Sequence, residues 1–383
     1  MKSQEHGILL WVMIKKMNED KSEGDKRVKL DVITLQEKKK WDSIVSLFSS
    51  ADVYYLSEYV EAFRLHGDGD PCLFYFLDES SGYKALNVAM KRDIAKNVHF
   101  AGKIEENKYF DLATPYGYGG IVFNGGSKQK TFLKSVNETY TQYCNEFNIV
   151  SEFVRFHPNI ENGPESKGLY DVIQLGETVC LDLRDRELIW ENIISKNRNM
   201  IRKAQKSAVK IKSELSHQIM QQFIQLYHST MDRDHADSYY YFGGNFYNSI
   251  LEDLRNNSTI FYATWEDQII AASIILFSGN RMHYHLSASN AAFRHLAPTN
   301  LLLYEAACWG AENGYKTFHL GGGLGAQNDN LYNFKKAFNK QENTQFWIGK
   351  KIFNADLYDY LLKIRKQEIN FDDKTGFFPK YRG

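Results

Sequence analysis

The chain repeats itself. Residues 71–93, PCLFYFLDESSGYKALNVAMKRD, hold two apolar runs around a polar turn, and residues 258–280, STIFYATWEDQIIAASIILFSGN, hold the same pattern with WEDQ in place of DESSG. Such runs around a short polar turn predict a β-hairpin. An aromatic, helical segment precedes each: DVYYLSEYVEAF (52–63) and YYYFGGNFYNSILEDL (239–254). A strand running into a loop, then a helix, then a second strand follow in both places: 108–123, about 128–147 and 151–158 in the first half, and 282–289, about 300–313 and 315–323 in the second. Self-similarity of this kind means that one supersecondary unit is used more than once. The shared order predicts an α/β chain of two duplicated units with mixed sheets and a cleft between them. Gly163, Pro164 and Gly168 mark the join. The expected division is a flexible lead-in over 1–28, a first unit over 29–165, and a second unit with a C-terminal extension over 166–383.

Bulk properties narrow the classes. A chain of 383 residues, 43% hydrophobic, is long enough for two cores. Its formal net charge of zero argues against a general DNA or RNA binder while permitting local basic patches. Cys72, Cys144, Cys180 and Cys308 lie far apart with no C-x-x-C pair, so neither a zinc site nor a disulfide framework is predicted. The apolar run at 7–14 is preceded by only one basic residue, lacks a following cleavage site, and falls well short of the roughly 20 residues that span a bilayer. A cytoplasmic monomer, at most peripherally associated with a membrane, is the expectation.

The stretch FHLGGGLGAQNDNLYNFKKAF (318–338) invites a phosphate-loop reading, because Gly321, Gly323 and Ala326 satisfy a loose G-x-G-x-x-A after a strand. The dinucleotide fold also needs an acidic residue at the end of the next strand. The next strand candidate, 345–353, ends in Lys350, Lys351, Ile352 and Phe353, and too little chain follows for such a domain. No G-K-[ST] follows either. A strand-to-helix turn that places a side chain remains.

Other segments carry candidate chemistry. In SKNRNMIRKAQKSAVKIK (195–212), Arg198, Arg202 and Lys206 fall at i, i+4 and i+8 and share one helix face with no acid among them. Such a stripe suits a diphosphate or an RNA backbone, and a solvated basic face is the plainer alternative. TPYGYGGI (114–121) sets Tyr116 and Tyr118 among glycines, either to lay aromatic faces against a substrate or to pack in the seam between the units. YHSTMDRDHADSYYYF (227–242) contributes Arg233 and Tyr241 to a wall of the cleft. His283, His285 and His319 lie on strands near the same place without metal-ligand spacing, and read as structural or substrate-contacting. No metal is expected.

The element order resembles the N-acetyltransferase (GNAT) fold used twice. The ordered set DVYYLSEYVEAF, TPYGYGGIVF, FVRFHP, SKNRNMIRKAQKSAVKI, HYHLSAS, APTNLLLYEAACWGAENGYKTFHLGGG and LYNFKKAF resembles the FemABX family, which makes peptidoglycan cross-bridges, over roughly residues 40–355. The stretch 213–257 is too short for the coiled-coil arm of the tRNA-related members, so the resemblance is to armless ones. It implies acyl transfer to an amine, with the Phe334-Lys335 pair supplying the group that faces the developing oxyanion. The same resemblance assigns phosphate recognition to the segment of Arg198, Arg202 and Lys206. Asp111 is, by position, the expected proton acceptor. FRHLAPTN (293–300) sits where a GNAT enzyme carries its pyrophosphate loop. Arg294 and Ala297 fit the pattern loosely, both glycines are missing, and Pro298 removes a backbone donor.

Three functions follow as expectations. The first is transfer of an aminoacyl or acyl group to an amine of a phosphorylated cell-envelope precursor, with no tightly bound cofactor and with aminoacyl-tRNA or acyl-coenzyme A as co-substrate. The second is coenzyme A-dependent N-acylation of an amino sugar of a surface polysaccharide. The third is a binding module that has kept the fold and lost the chemistry.

Overall fold

The computed structural model describes residues 28–374 and 376–383. The expected lead-in therefore lies outside the described residues, Val28 excepted. In chain order the strands are β1 (Lys29–Thr34), β2 (Asp70–Leu77), β3 (Lys84–Asp93), β4 (Phe110–Ala113), β5 (Val122–Asn124), β6 (Ile149–Arg155), β7 (Asp171–Asp182), β8 (Lys210–Ser213), β9 (Ser258–Trp265), β10 (Gln268–Ser278), β11 (Arg281–Ser289), β12 (Thr317–Gly321) and β13 (Thr344–Ile352). The helices are α1 (Lys38–Val45), α2 (Ser57–His66), α3 (Lys130–Glu146), α4 (Asn162–Glu165), α5 (Arg186–Asn192), α6 (Ser195–Lys206), α7 (His217–Arg233), α8 (Gly244–Glu252), α9 (Pro298–Glu312), α10 (Asn330–Lys336) and α11 (Ala355–Arg365).

The strands form one mixed sheet in the order β1-β2-β3-β4-β6-β13-β7-β12-β11-β10-β9-β8, with β5 paired to β3. Read from its two edges, the sheet repeats. β2–β3 and β9–β10 are the expected antiparallel hairpins. β4 runs parallel to β6, and β11 runs parallel to β12. A parallel pair needs a crossover, and α3 and α9 supply it in the two halves.

The centre of the sheet is an exchange. β7, which ends the first repeat although the expected division at 165/166 set it in the second unit, pairs through Val179–Asp182 with β12 of the second half. β13, which closes the second repeat, pairs with β6 of the first. β13 and the earlier part of β7 then pair with each other. Each half thus lends its last strand to the other, and the halves become a single sheet.

The faces are covered as the patterning predicts. Phe132, Val136, Tyr140 and Cys144 fall on one side of α3 and bury against Phe74, Phe76 and Val154. α9 is apolar on most sides and buries Leu301, Leu302, Leu303, Ala306 and Ala307 against β9–β12. On the opposite face, α2 and α8 pack on each other: Phe63 and Phe246 have ring centroids 5.2 Å apart, so one core spans both halves. No helix among the described residues is long and apolar enough to cross a membrane.

Candidate active site at the seam between the halves

The glycine stretch ends β12 and positions α10. Gly321 has φ +78°, a conformation that L side chains rarely adopt. Gly323 is needed for space, because a Cβ there would stand 2.1 Å from the Gln327 carbonyl oxygen. Asp329 then starts the helix. Its Oδ1 accepts from the Tyr332 amide at 2.8 Å and its Oδ2 from the Leu324 amide at 2.9 Å, so one carboxylate fixes both the turn and the cap. Phe334 packs its ring 5.6 Å from Phe338 against the α9 core.

Lys335 points back to the strand tip. It is 8% exposed, and its Nζ donates to the Gly322 carbonyl oxygen at 2.7 Å. A methyl placed on Gly321 would lie 3.3 Å from Lys335 Nζ and 3.8 Å from the Tyr118 hydroxyl, so ammonium and phenol flank the same backbone atom. Burial lowers the Lys335 pKa to about 8, with Asp329 pulling the other way. Lys336 turns elsewhere, donating to the Gln341 carbonyl at 2.6 Å and to Asn343 Oδ1 at 2.8 Å.

Around Lys335 and Tyr118 lies a buried polar seam built from both halves. The Tyr118 ring stands 5.1 Å from His319 on β12 and 6.0 Å from His157, which follows β6. The Arg155 guanidinium lies 5.6 Å from the rings of both Tyr118 and Phe346. At the centre, Asp52 Oδ2 accepts from His157 Nε2 and from His283 Nε2, each at 2.9 Å, while its Oδ1 accepts from the Val53 amide at 2.6 Å. Burial pushes the Asp52 carboxyl up, but the adjacent His283 and His157 rings outweigh it and hold the pKa well below the usual range. Burial lowers His157, and Asp52 only partly offsets this.

Asp52, His157 and His283 offer ligand atoms within 4.8 Å of one another, as a metal site would. Two observations oppose that use. The Asn159 amide donates to His157 Nδ1 at 3.2 Å, which places the ring proton on Nε2, the atom a metal would need. The Asp52 carboxylate also already accepts three hydrogen bonds, from His157, His283 and the Val53 amide, so it is satisfied without an ion. The trio is a hydrogen-bonded clasp between the halves.

The remaining expected residues divide. Tyr116 stacks on Phe63 at 5.4 Å and faces His285 at 5.7 Å, in an aromatic wall with Tyr239 and Phe242. Burial lowers His285 to about 3. Arg233 donates to the Ser289 carbonyl at 2.8 Å and pairs with Asp234, and Tyr241 donates to Asp232 at 2.7 Å. Arg198 and Arg202 lie 5.9 and 5.0 Å from the ring of Trp190, and neither they nor Lys206 form an ion pair among the described residues. The start of α6 docks on the end of α10, through the Ile194 amide to Ala337 O at 3.1 Å and Asn197 Nδ2 to the same oxygen at 3.3 Å. Asn300 Nδ2 reaches Asn197 Oδ1 at 2.6 Å, which brings in the start of α9 and the exposed Arg294 turn before it. The start of α6 and the start of α9 therefore meet the end of α10, the helix that carries Lys335.

Asp111 is elsewhere. It is fully buried, one oxygen accepts from Arg92 Nε at 2.8 Å, and the other accepts from Arg382 and from Tyr381 at 3.1 Å. Its carboxylate is taken up in joining β4 to the C-terminal segment. The residues not singled out from sequence are Asp52, Arg155 and His157. A signal existed for the last: each repeat carries a histidine at the end of its matching strand, His157 after β6 and His319 on β12.

Comparison with known proteins agrees with this architecture. Residues 195–336 match the acetyltransferase (GNAT) domain family. No curated protein matches the chain by sequence. Among solved structures, FemX superposes with a TM-score of 0.63 at 14% identity, over 87% of this chain and 99% of that one. The C-terminal domain of a protein named as a lysylphosphatidylglycerol synthetase of Agrobacterium fabrum gives 0.52 at 13% identity, over 86% and 95%. A protein of unknown function from Bacteroides thetaiotaomicron gives 0.52 at 10% identity, over 85% and 99%. The chain therefore has the duplicated GNAT fold that FemX has, and its residues 195–336 match the acetyltransferase (GNAT) domain family.

Proposed function

We propose that this protein is an N-acyltransferase that moves an acyl or aminoacyl group onto an amine of a phosphorylated cell-envelope precursor, by direct attack and without a covalent enzyme intermediate. The observation that carries this reading is the buried Lys335 ammonium at the tip of β12. A buried cation whose one hydrogen bond among the described residues is to a carbonyl is costly unless charge develops beside it, and acyl transfer develops an oxyanion. The Gly322 carbonyl orients the ammonium, and Tyr118 offers a second hydroxyl donor across Gly321.

Arg198, Arg202 and Lys206 are the phosphate-recognising face, set where α6 meets the Lys335 helix. The indole of Trp190 steadies two guanidiniums that form no ion pair among the described residues. Tyr116 and His285 belong to the acceptor wall. At the start of α9 the glycines of a coenzyme A loop are replaced and Pro298 stands first in the helix, which favours aminoacyl-tRNA over coenzyme A as the donor. The test is a thermal-shift screen with UDP-MurNAc-pentapeptide, UDP-linked amino sugars and acetyl-coenzyme A, followed by mass-spectrometric assay of transfer from acetyl-coenzyme A and from alanyl-tRNA. Mass gain on the acceptor amine supports the reading, and absence of gain with every donor and acceptor removes it.

A further inference from the structure

Two ring nitrogens buried in the seam, His283 Nδ1 and His319 Nε2, have no hydrogen-bond partner among the described residues. Buried polar atoms are nearly always satisfied, so two such atoms side by side call for a role. His283 and His319 are register partners on β11 and β12, with ring centroids 5.8 Å apart. On one side of the pair Asp52 accepts from His283 Nε2 at 2.9 Å. On the other, His319 stands 5.1 Å from the ring of Tyr118, which shares Gly321 with Lys335. A carboxylate, two imidazoles and the oxyanion-facing lysine thus lie in sequence across the face of the sheet. Asp52 bonds His283 and not His319, so His319 enters the group through its unpartnered Nε2 and its place beside Tyr118; a neutral imidazole with an unpartnered nitrogen can accept a proton.

We propose that His319 accepts the proton of the attacking amine, and that Asp52, by fixing the His283 ring that packs against His319, is a positioning residue. This rests on the acyl-transfer reading above. The amine nitrogen bonds to the acyl carbon while the carbonyl oxygen takes up charge opposite Lys335. One N–H proton passes to His319 Nε2, the bond from carbon to the leaving group breaks, and the imidazolium returns the proton to the departing oxygen or sulfur. The groups that face His319 are His283 on β11, His157 after β6, Asp52 before α2, Tyr118, Lys335 on α10 and Cys180 on β7. Burial, His283, His157 and Lys335 hold His319 well below its usual pKa and so in the neutral, accepting form, and Asp52 pulls the other way.

The first test is long-range 1H–15N correlation NMR on the full chain between pH 6 and 8. His319 is expected to be neutral with its proton on Nδ1 and its lone pair on Nε2; a proton on Nε2, or an imidazolium at pH 7, overturns the proposal. The second is the transfer assay. His319→Gln should lower kcat about 10²–10⁴-fold with little change in acceptor KM. Hydroxylamine, a weakly basic acceptor that needs less help in losing its proton, should narrow the gap to wild type. Should His319→Gln not fold, His319→Asn supplies the same readout, as a loss of similar size with a displaced acid limb in the pH–rate profile. An active wild type with both variants within about threefold of it overturns this proposal and leaves the transferase reading standing; a wild type inactive with every donor takes both down.

Discussion

The Lys335 ammonium lies 2.7 Å from the carbonyl oxygen of Gly322, and that contact joins α10 to the tip of β12. If the ammonium meets the oxyanion, its loss belongs to the transition state and not to substrate binding. Lys335→Ala should lower kcat about 10²–10³-fold with acceptor KM little changed, and Lys335→Arg should restore only part, because a planar fork replaces a point charge. Lys336→Ala should leave kcat unaltered. Because Lys336 bonds Gln341 and Asn343, that variant should instead lose about 0.5–1.5 kcal/mol of stability, read by thermal melting.

Lys335 should also burden the fold. Its pKa is lowered from 10.5 to about 8, so the folded state binds that proton less readily than the unfolded chain does. The penalty is fully present below about pH 8 and disappears as pH rises toward 10.5. Lys335→Met should therefore be more stable than wild type at pH 7, by up to about 3 kcal/mol, while being inactive. Urea unfolding at pH 7 and pH 10 checks it: the gain should shrink at the higher pH.

Asp52 contributes in the opposite sense. Its folded pKa lies below the ordinary value of 3.8, so its stabilisation is present above that pH and is lost as pH falls through the lower folded value. Asp52→Asn should cost about 3–5 kcal/mol at pH 7, because it removes the charge that two buried histidines face. Unfolding midpoints measured from pH 7 down to 2 should show wild type and variant converging at the acid end.

Asp111→Asn separates a structural carboxylate from a catalytic one. Arg92 and Arg382 hold Asp111 below its usual pKa despite full burial. The variant should melt several degrees lower and keep kcat within about twofold. A kcat loss in the hundredfold range, typical of a lost general base, would return Asp111 to the chemistry.

The basic face of α6 should read phosphate. Arg202→Ala should weaken binding of UDP-MurNAc-pentapeptide about tenfold or more and flatten its salt dependence, since ion pairing is screened by salt. Trp190→Ala removes the ring that supports Arg198 and Arg202 and should weaken binding less than Arg202→Ala does. Isothermal titration at 50 and 300 mM salt decides both.

Much of this protein could be read along the chain. The hairpins β2–β3 and β9–β10, the crossover helices α3 and α9, and the turn that aims Lys335 are each written in a short window, because alternation, helical spacing and glycine placement are local signals. Their repetition in the same order was enough to name the fold. The turn before Lys335 was legible from its three glycines, whereas the role of Lys335 came only from the family resemblance; the Asp329 cap was seen only in the structure. Asp111 misled as a candidate base because a buried strand carboxylate looks the same in sequence whether it faces substrate or two arginines.

The sequence alone determined the repeated units, and so the fold, because each element depends on residues only a few positions apart. The tertiary structure alone decided how the units join. β7 lies against β12 and β13 against β6 because the free edges of two half-sheets must be paired, and no local pattern says with which strand. The same long-range closure brings Asp52 to His157, 105 positions away, and to His283, 231 positions away. Whether a histidine is a spare core residue or part of a reaction centre is settled by which groups the closed sheet sets beside it.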